Sequence, residues 1–416
     1  MKILLLSSYL PYPLFSGGQV RLYNLIKELS QKHEITLICE KRSQQTDADI
    51  AELKKICKDV IAVERRKQWS ISNIVKAGIS SHSFLVTGHT HPEFAQRVRE
   101  ALAGGSYDLI HVETYYIMRN LLELRMTDDG LQKIPIVLVE HNIEYQVYEK
   151  FMQRAPALLI PLLRIDTQKI KREEEYYWQQ SNALVAVSRE DQAVMKKAGH
   201  DSFLVPNGVN TNQFIFRSFE ERFYFSKRTQ ENVKKILFLG DFRWIQNKDS
   251  VTFIIKEIFP LVKKELRITN HELDVKLWIV GRKIPESIRN LTNDQDVLFD
   301  EKSSGLSTEK IFQEAAVLLA PIRIGGGTSY KILEAMSSGT PVVTMQMSAD
   351  ALSAVDGKEI LVGKTAEELA EKSLEVLQNE SLYTLISKNG RALVEKQYTW
   401  KKIGKRLEAV YLEVVK

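Results

Sequence analysis

A chain of 416 residues, 44% hydrophobic and 27% charged, has the makeup of a globular protein with length for two cores. Its 58 Lys and Arg against 53 Asp and Glu leave a net charge of +5, too slight for a nucleic-acid surface, and no basic-aromatic interleaving supplies one. The two cysteines, Cys39 and Cys57, exclude a disulfide framework and have no metal-ligand spacing around them. No apolar run reaches bilayer-spanning length. At the start, MKILLLSSYLPYP carries an apolar stretch of only Ile3 to Leu6, short for a signal peptide, so the expected location is the cytoplasm.

Residues 2–7 read as a short apolar strand, followed by a loop containing Gly17 and Gly18. Leu22, Leu25, Ile26 and Leu29 then fall at i, i+3, i+4 and i+7, one face of a helix. The strand 34–39 follows. Arg65, Arg66 and Lys67 precede Trp69, Ile71, Ile74 and Val75 at near-helical spacing, which fits either peripheral contact with anionic lipid or a helix packed into its own domain. Further strands read at 109–112, 134–139 and 183–187, and Ser188 opens a helix after the last of them. Short apolar strands separated by helical segments predict a parallel sheet with helices on both faces.

Around Pro206, Asn207, Gly208 and Val209 the chain turns, then stays polar and irregular to Glu231; the domain boundary is placed here. A second series of strands reads at 236–240, 275–281, 297–299, 316–320 and 341–344, and a last helix at 400–415. Two doubly wound domains in sequence place ligands at the carboxyl ends of their strands and predict a cleft between them.

The densest segment runs from Pro321 to Thr344, PIRIGGGTSYKILEAMSSGTPVVT. A strand end leads into Gly325, Gly326 and Gly327, where backbone can approach a ligand closely. Thr328 or Ser329 then opens a helix whose first amides form an anion site. Glu334, past the first turn, is placed to accept hydrogen bonds from a sugar hydroxyl rather than to hold phosphate. A phosphorylated sugar or nucleotide fits this arrangement; a turn that merely brings helix and sheet together is the plainer alternative.

The segment resembles the signature of retaining GT-B glycosyltransferases of family four, the glycosyl transferases group 1. Leu333-Glu334-Ala335-Met336 and Gly339-Thr340-Pro341-Val342-Val343 carry the likeness. Landmarks extend it over the chain: Gly17-Gly18, Glu140-His141-Asn142, Ser188, Asn207-Gly208-Val209, Gly240, Val280-Gly281 and Tyr398-Thr399-Trp400. The resemblance implies two Rossmann-like α/β domains facing across a cleft. Residues 1–205, with a crossing helix at 399–416, would form the acceptor side, and 206–398 the nucleotide-sugar donor side. It further implies transfer of a sugar from a UDP- or GDP-sugar to a glycan or lipid-linked acceptor, with retention, no cofactor and no metal. The departing phosphate would take the acceptor's proton.

By the same resemblance Gly17 and Gly18 lie near the donor phosphates. His141 would contact the donor sugar, in a His-Asn pair where many relatives have His-Asp. Arg243, shifted by Asp241 and Phe242 from the usual place, and Lys248 would meet the diphosphate, with Arg282 and Arg323 as further cations. Glu334 matches the second of the family's two glutamates, implied to bind the ribose. Eight positions earlier stands Gly326 instead of the first. His111, followed by Glu113, is a weaker alternative to His141. Two other readings stay open: a sugar-nucleotide epimerase of related fold, and a catalytically silent GT-B scaffold subunit.

Overall fold

The computed structural model of the chain describes residues 1–68, 70–125, 134–152, 155–228, 233–268, 273–305, 307–324 and 327–416. The chain divides into two compact units, Met1–Pro206 with Ile403–Lys416, and Asn207–Lys402.

The first unit is built on seven parallel strands: β1 (Lys2–Ser7), β2 (Glu34–Lys41), β3 (Asp59–Glu64), β4 (Leu109–Glu113), β5 (Ile136–Glu140), β6 (Ala183–Ala186) and β7 (Phe203–Leu204), in spatial order β3-β2-β1-β4-β5-β6-β7. The inner strands are apolar because helices cover both faces; all five residues of β4 and of β5 are buried. Leu4, Leu6, Ile38, Ile110, Val112, Ile136 and Leu138 form the centre of the core. Strand order reverses between β1 and β4, and at that switch point ligands bind beyond the strand ends.

The second unit has six parallel strands: β8 (Val233–Asp241), β9 (Asp274–Arg282), β10 (Val297–Asp300), β11 (Val317–Ala320), β12 (Val342–Thr344) and β13 (Leu361–Val362), in order β10-β9-β8-β11-β12-β13. Its switch point lies between β8 and β11, over a core that includes Ile236, Phe238, Leu277, Ile279, Val317, Leu319 and Val343.

The strands expected from sequence lie where they were placed, with ends differing by a few residues. The unexpected ones, β3, β7 and β13, stand at or next to sheet edges, and two of them are only two residues long. One expectation needs correction. Gly17 and Gly18 are not in a loop but are the first residues of the helix Gly17–Leu29. Ser16, extended at φ −137° and ψ 158°, caps this helix by accepting the Gln19 N–H, so the helix begins before its apolar stripe does. Among the described residues no helix is long and apolar enough to cross a membrane. Cys39 and Cys57 are free and buried.

Candidate functional site

In the first unit, residues from three strand ends converge at the switch point. Glu113, the last residue of β4, is fully buried and joins two histidines. His111 Nε2 lies 3.0 Å from its Oε1, and His141, just past β5, meets its Oε2 through Nε2. On the far side, His111 Nδ1 is hydrogen-bonded to the hydroxyl of Tyr411 on the last helix, Trp400–Val414. Burial alone would raise the Glu113 carboxyl, but the His141 charge and the bonds from both histidines outweigh it and hold the group well below the usual carboxylate range. An ionised carboxylate only accepts, so each histidine presents an Nε2–H to it. His141 is thereby left with Nδ1 facing the start of the helix Gly17–Leu29. A Cβ on Gly18 would lie 3.4 Å from that nitrogen and 3.2 Å from the Tyr9 hydroxyl, which donates to Gly18 O at 3.3 Å. A side chain at Gly18 would require the Tyr9 hydroxyl to shift by a few tenths of an ångström. Thr114, next after Glu113, has φ 73°, a conformation costing a β-branched residue about 1–3 kcal/mol. Strain of this kind gathers at functional sites.

Beneath His141 lies an acidic layer. Burial, then the neighbouring Glu174 and Glu144, pushes the Glu140 carboxyl well above its ordinary range. Trp178 Nε1 donates to its Oε1 at 3.3 Å. Glu174 accepts the Glu144 and Tyr145 N–H groups at 2.8 and 3.1 Å, capping the helix Glu144–Met152. Burial raises Glu144 itself to about 7.

In the second unit the site is framed by β8, β9, β11 and the helix Tyr330–Ser338. Gly240 and Gly281 pack without side chains because a Cβ on Gly281 would strike Gly240 O at 2.2 Å, and one on Gly240 would strike Asn247 at 2.7 Å. Asn247 therefore sits directly on the end of β8, and its Nδ2 donates to Asp241 O at 2.8 Å. Asn247 Oδ1 accepts from Lys331 Nζ at 2.8 Å, and the ammonium lies 4.4 Å from the Phe238 ring centroid. Burial draws Lys331 down to about 7 against the pull of Glu334. Burial likewise raises Glu334 to about 7, opposed by a Thr308 hydrogen bond and by Lys331. The two side chains stand about one helical turn apart, each half-buried, and burial moves both toward the neutral form.

The other expected residues are placed as follows. Arg243 is exposed and closes a two-pronged ion pair on Asp241, with Nε 3.0 Å from both carboxylate oxygens. Arg282 is paired in register with Asp241 and helps hold that carboxyl below its usual value. Lys248 lies half-buried on the helix Ile245–Phe253. Arg323 pairs with Asp249 at 3.0 Å and stacks 4.2 Å from the Phe253 centroid. Gly327 adopts φ 84°. Gly325 and Gly326 lie outside the described residues. Thr328 is buried, and its hydroxyl accepts the Asn207 N–H at 2.8 Å, while Asn207 Nδ2 donates to Thr328 O at 3.0 Å. The helix start falls to Ser329, whose side chain makes no cap hydrogen bond. In the expected cationic cluster, Arg65 turns inward to Glu40 at 3.6 Å, leaving Arg66 and Lys67; Trp69 lies outside the described residues.

Residues 15–213 match the family model for Glycosyltransferase Family 4, and residues 233–379 match that for Glycosyl transferases group 1. The chain belongs to this glycosyltransferase family. Its GT-B fold is shared with sucrose-phosphate synthase from Thermosynechococcus elongatus, at TM-score 0.69 and 16% identity over 100% of this chain and 99% of that one. It is shared too with Anabaena HepE in complex with UDP and glucose, at TM-score 0.63 and 14% identity over 99% and 100%. In sequence the glycosyltransferase is 20% identical, over 97% of either chain, to an uncharacterized 44.6 kDa protein in the cps region of Klebsiella pneumoniae. It is 26% identical to a trehalose synthase of Thermococcus litoralis over 163 residues, 39% of this chain and 38% of that one.

Two side chains of these candidate sites carry no strong signal in the sequence. Glu113 was seen only as a neighbour of His111, because no local pattern reveals that β4 and β5 are adjacent. Lys331 could have been found: it lies three residues before Glu334, on the same helical face.

Proposed function

We propose that this glycosyltransferase takes its sugar from a nucleoside diphosphate sugar bound by the second unit and passes it, with retention and without a metal, to a glycan or lipid-linked acceptor. The observation that carries the reading is Glu334, a desolvated carboxyl on the helix that opens at the β8/β11 switch point, where it can accept from ribose hydroxyls. The solved relatives bound to UDP and to UDP-glucose favour a uridine nucleotide over a guanosine one.

In this reading Gly327, Thr328 and the first amides of the helix Tyr330–Ser338 lie along the diphosphate, and Arg243, Lys248 and Arg282 form its cationic rim. Gly17, Gly18 and His141 serve from the first unit, His141 meeting a sugar hydroxyl. The bond from the anomeric carbon to the phosphate oxygen breaks as the acceptor oxygen bonds on the same face. The departing phosphate takes the acceptor's proton, so no enzymatic base is needed. Glu113 holds the His141 ring in place, supplying from β4 the carboxylate that Asn142 does not.

A peripheral membrane position is part of the proposal. On the helix Ile71–Ile79 the apolar side chains face out, Ile71 83% and Ile79 84% exposed, rather than packing inward. Lys169, from the helix Ile160–Gln179, donates to Ala77 O and Ser80 O at 2.6 and 2.8 Å, and that helix adds exposed Leu162, beside Leu158. Exposed apolar side chains in this number, with Arg66 and Lys67 shortly before the helix Ile71–Ile79 in the chain, suit an anionic lipid surface.

The test is incubation with UDP- and GDP-sugars, with and without EDTA, plus a lipid-linked glycan fraction. Donor-specific release of nucleoside diphosphate, unaffected by EDTA, with product whose anomeric configuration by NMR matches the donor's, is expected. Consumption of donor without acceptor would favour epimerisation.

A further inference from the structure

We propose that Lys331 supplies an inner, half-buried cationic contact to the donor's diphosphate, inside the rim formed by Arg243, Lys248 and Arg282. The proposal rests on the nucleotide-sugar reading above and deepens it. Arg243 is closed on Asp241 and Arg323 on Asp249, so binding phosphate with either means opening an ion pair.

Lys331 is differently situated. Its Nζ has a single hydrogen bond among the described residues, to the uncharged Asn247, although an ammonium carries three donors. Its other close neighbour is the face of Phe238, which attracts a cation but takes no hydrogen bond. The position is fixed from below, since Asn247 is held by Asp241 O and seated on Gly240.

Helix geometry gives the direction. Residues three apart share a face, and Lys331 stands about 4.5 Å nearer the helix start than Glu334. A nucleotide whose ribose is held by Glu334 and whose diphosphate lies toward the first amides must pass Lys331 on the way. Ribose, then diphosphate, matches carboxylate, then ammonium, along one helix face. A protonated Lys331, with hydrogen-bonding capacity beyond its bond to Asn247, carries the sign a diphosphate needs.

Binding should then be linked to a proton. Around Lys331, Glu334 on its own helix is the charged group that acts on it. At the end of β8, Asp241 is closed by Arg243, with Arg282 beyond it on β9. On the helix Ile245–Phe253, Asp249 is closed by Arg323. Burial places the ammonium near neutrality, so at pH 8 much of it is unprotonated until a diphosphate arrives.

The experiment is calorimetric titration of the full chain at pH 8 with UDP and with uridine, and with GDP and guanosine, in two buffers of different ionisation heat. The wild type should take up a proton on binding the diphosphate but not the nucleoside. Lys331→Met should lose 10- to 100-fold in affinity for the diphosphate, bind the nucleoside within about twofold of wild type, and take up no proton. Lys331→Gln, which keeps a donor toward Asn247, should behave like Lys331→Met and guards against misfolding of the first variant. Unchanged diphosphate affinity in both variants, or equal loss for diphosphate and nucleoside, overturns the proposal. The second outcome would make Lys331 a support for Glu334. If the wild type binds none of the four, the nucleotide-sugar reading fails along with it.

Discussion

Glu113 joins histidines from two strands, and its chemistry decides what each can do. With the carboxylate ionised, His141 keeps Nε2–H toward Glu113 and turns Nδ1 toward Gly18. His141→Ala should lower kcat about 100-fold or more with donor affinity nearly unchanged, as steady-state and binding assays would read. Glu113→Gln should lower kcat less and shift its pH profile, because an amide can leave the histidine in either tautomer. Glu334→Ala should weaken nucleoside binding about 10-fold while leaving the melting temperature close to wild type. The buried carboxyls give a pH signature. Glu140 and Glu144 are raised in the folded state, so their contribution is intact below the ordinary carboxylate range and is lost as pH rises through about 7 for Glu144. Glu113 is depressed, and its contribution is lost only as pH falls below the ordinary range. The two windows do not overlap. Glu144→Gln should therefore flatten the fall in unfolding free energy between pH 5 and 8 by about 2 kcal/mol, read by urea denaturation.

Among elements, the helix Tyr330–Ser338 is anchored at its C-terminal end. Its C-terminal carbonyls are gripped by arginines: Ser338 O accepts from Arg222 and Ser337 O from Arg391. Arg222, almost fully buried, also donates to Phe312 O at 2.6 Å and Ala315 O at 2.9 Å. Cations at a helix C-terminus complement its dipole, and three carbonyls each lose a charged donor together if the arginine goes. Arg222→Ala should destabilise the second unit by about 3 kcal/mol in denaturant unfolding, more than Glu334→Ala at the other end of the helix. How much was legible follows the range of each interaction. The helix itself, its glycine-led start and Glu334 are local in sequence and could be read directly. Asn207 could be marked as a landmark, but its clasp on Thr328 spans 121 residues and has no local trace. The strands β4 and β5 were readable as apolar runs, while the Glu113–His141 pair depends on their being neighbours. The edge strand β3 was missed because it is half-solvated, and β7 and β13 because two residues carry no period.

At the scale of the whole molecule, each of the two parallel sheets has one switch point, and the candidate site residues gather there. Strand order 3-2-1-4 recurs in the second unit as β10-β9-β8-β11. This repetition was foreseeable, since each half of the chain alternates apolar strands with helical segments. The exposed apolar face on the first unit was only half visible in sequence. Ile71, Ile74 and Val75 were noticed, whereas Leu158 and Leu162 look from sequence like ordinary core residues. Replacing Ile71, Ile79, Leu158 and Leu162 by serine should abolish co-sedimentation with anionic vesicles and leave nucleotide binding intact. The central claim is that a nucleoside diphosphate sugar is the donor. Its most direct test is calorimetric titration of the 416-residue chain with UDP, GDP and their sugars, alongside Glu334→Ala. Saturable binding of one nucleotide series, weakened about 10-fold by the substitution, is the expected result. Binding of none, or binding that Glu334→Ala leaves unchanged, would contradict the account.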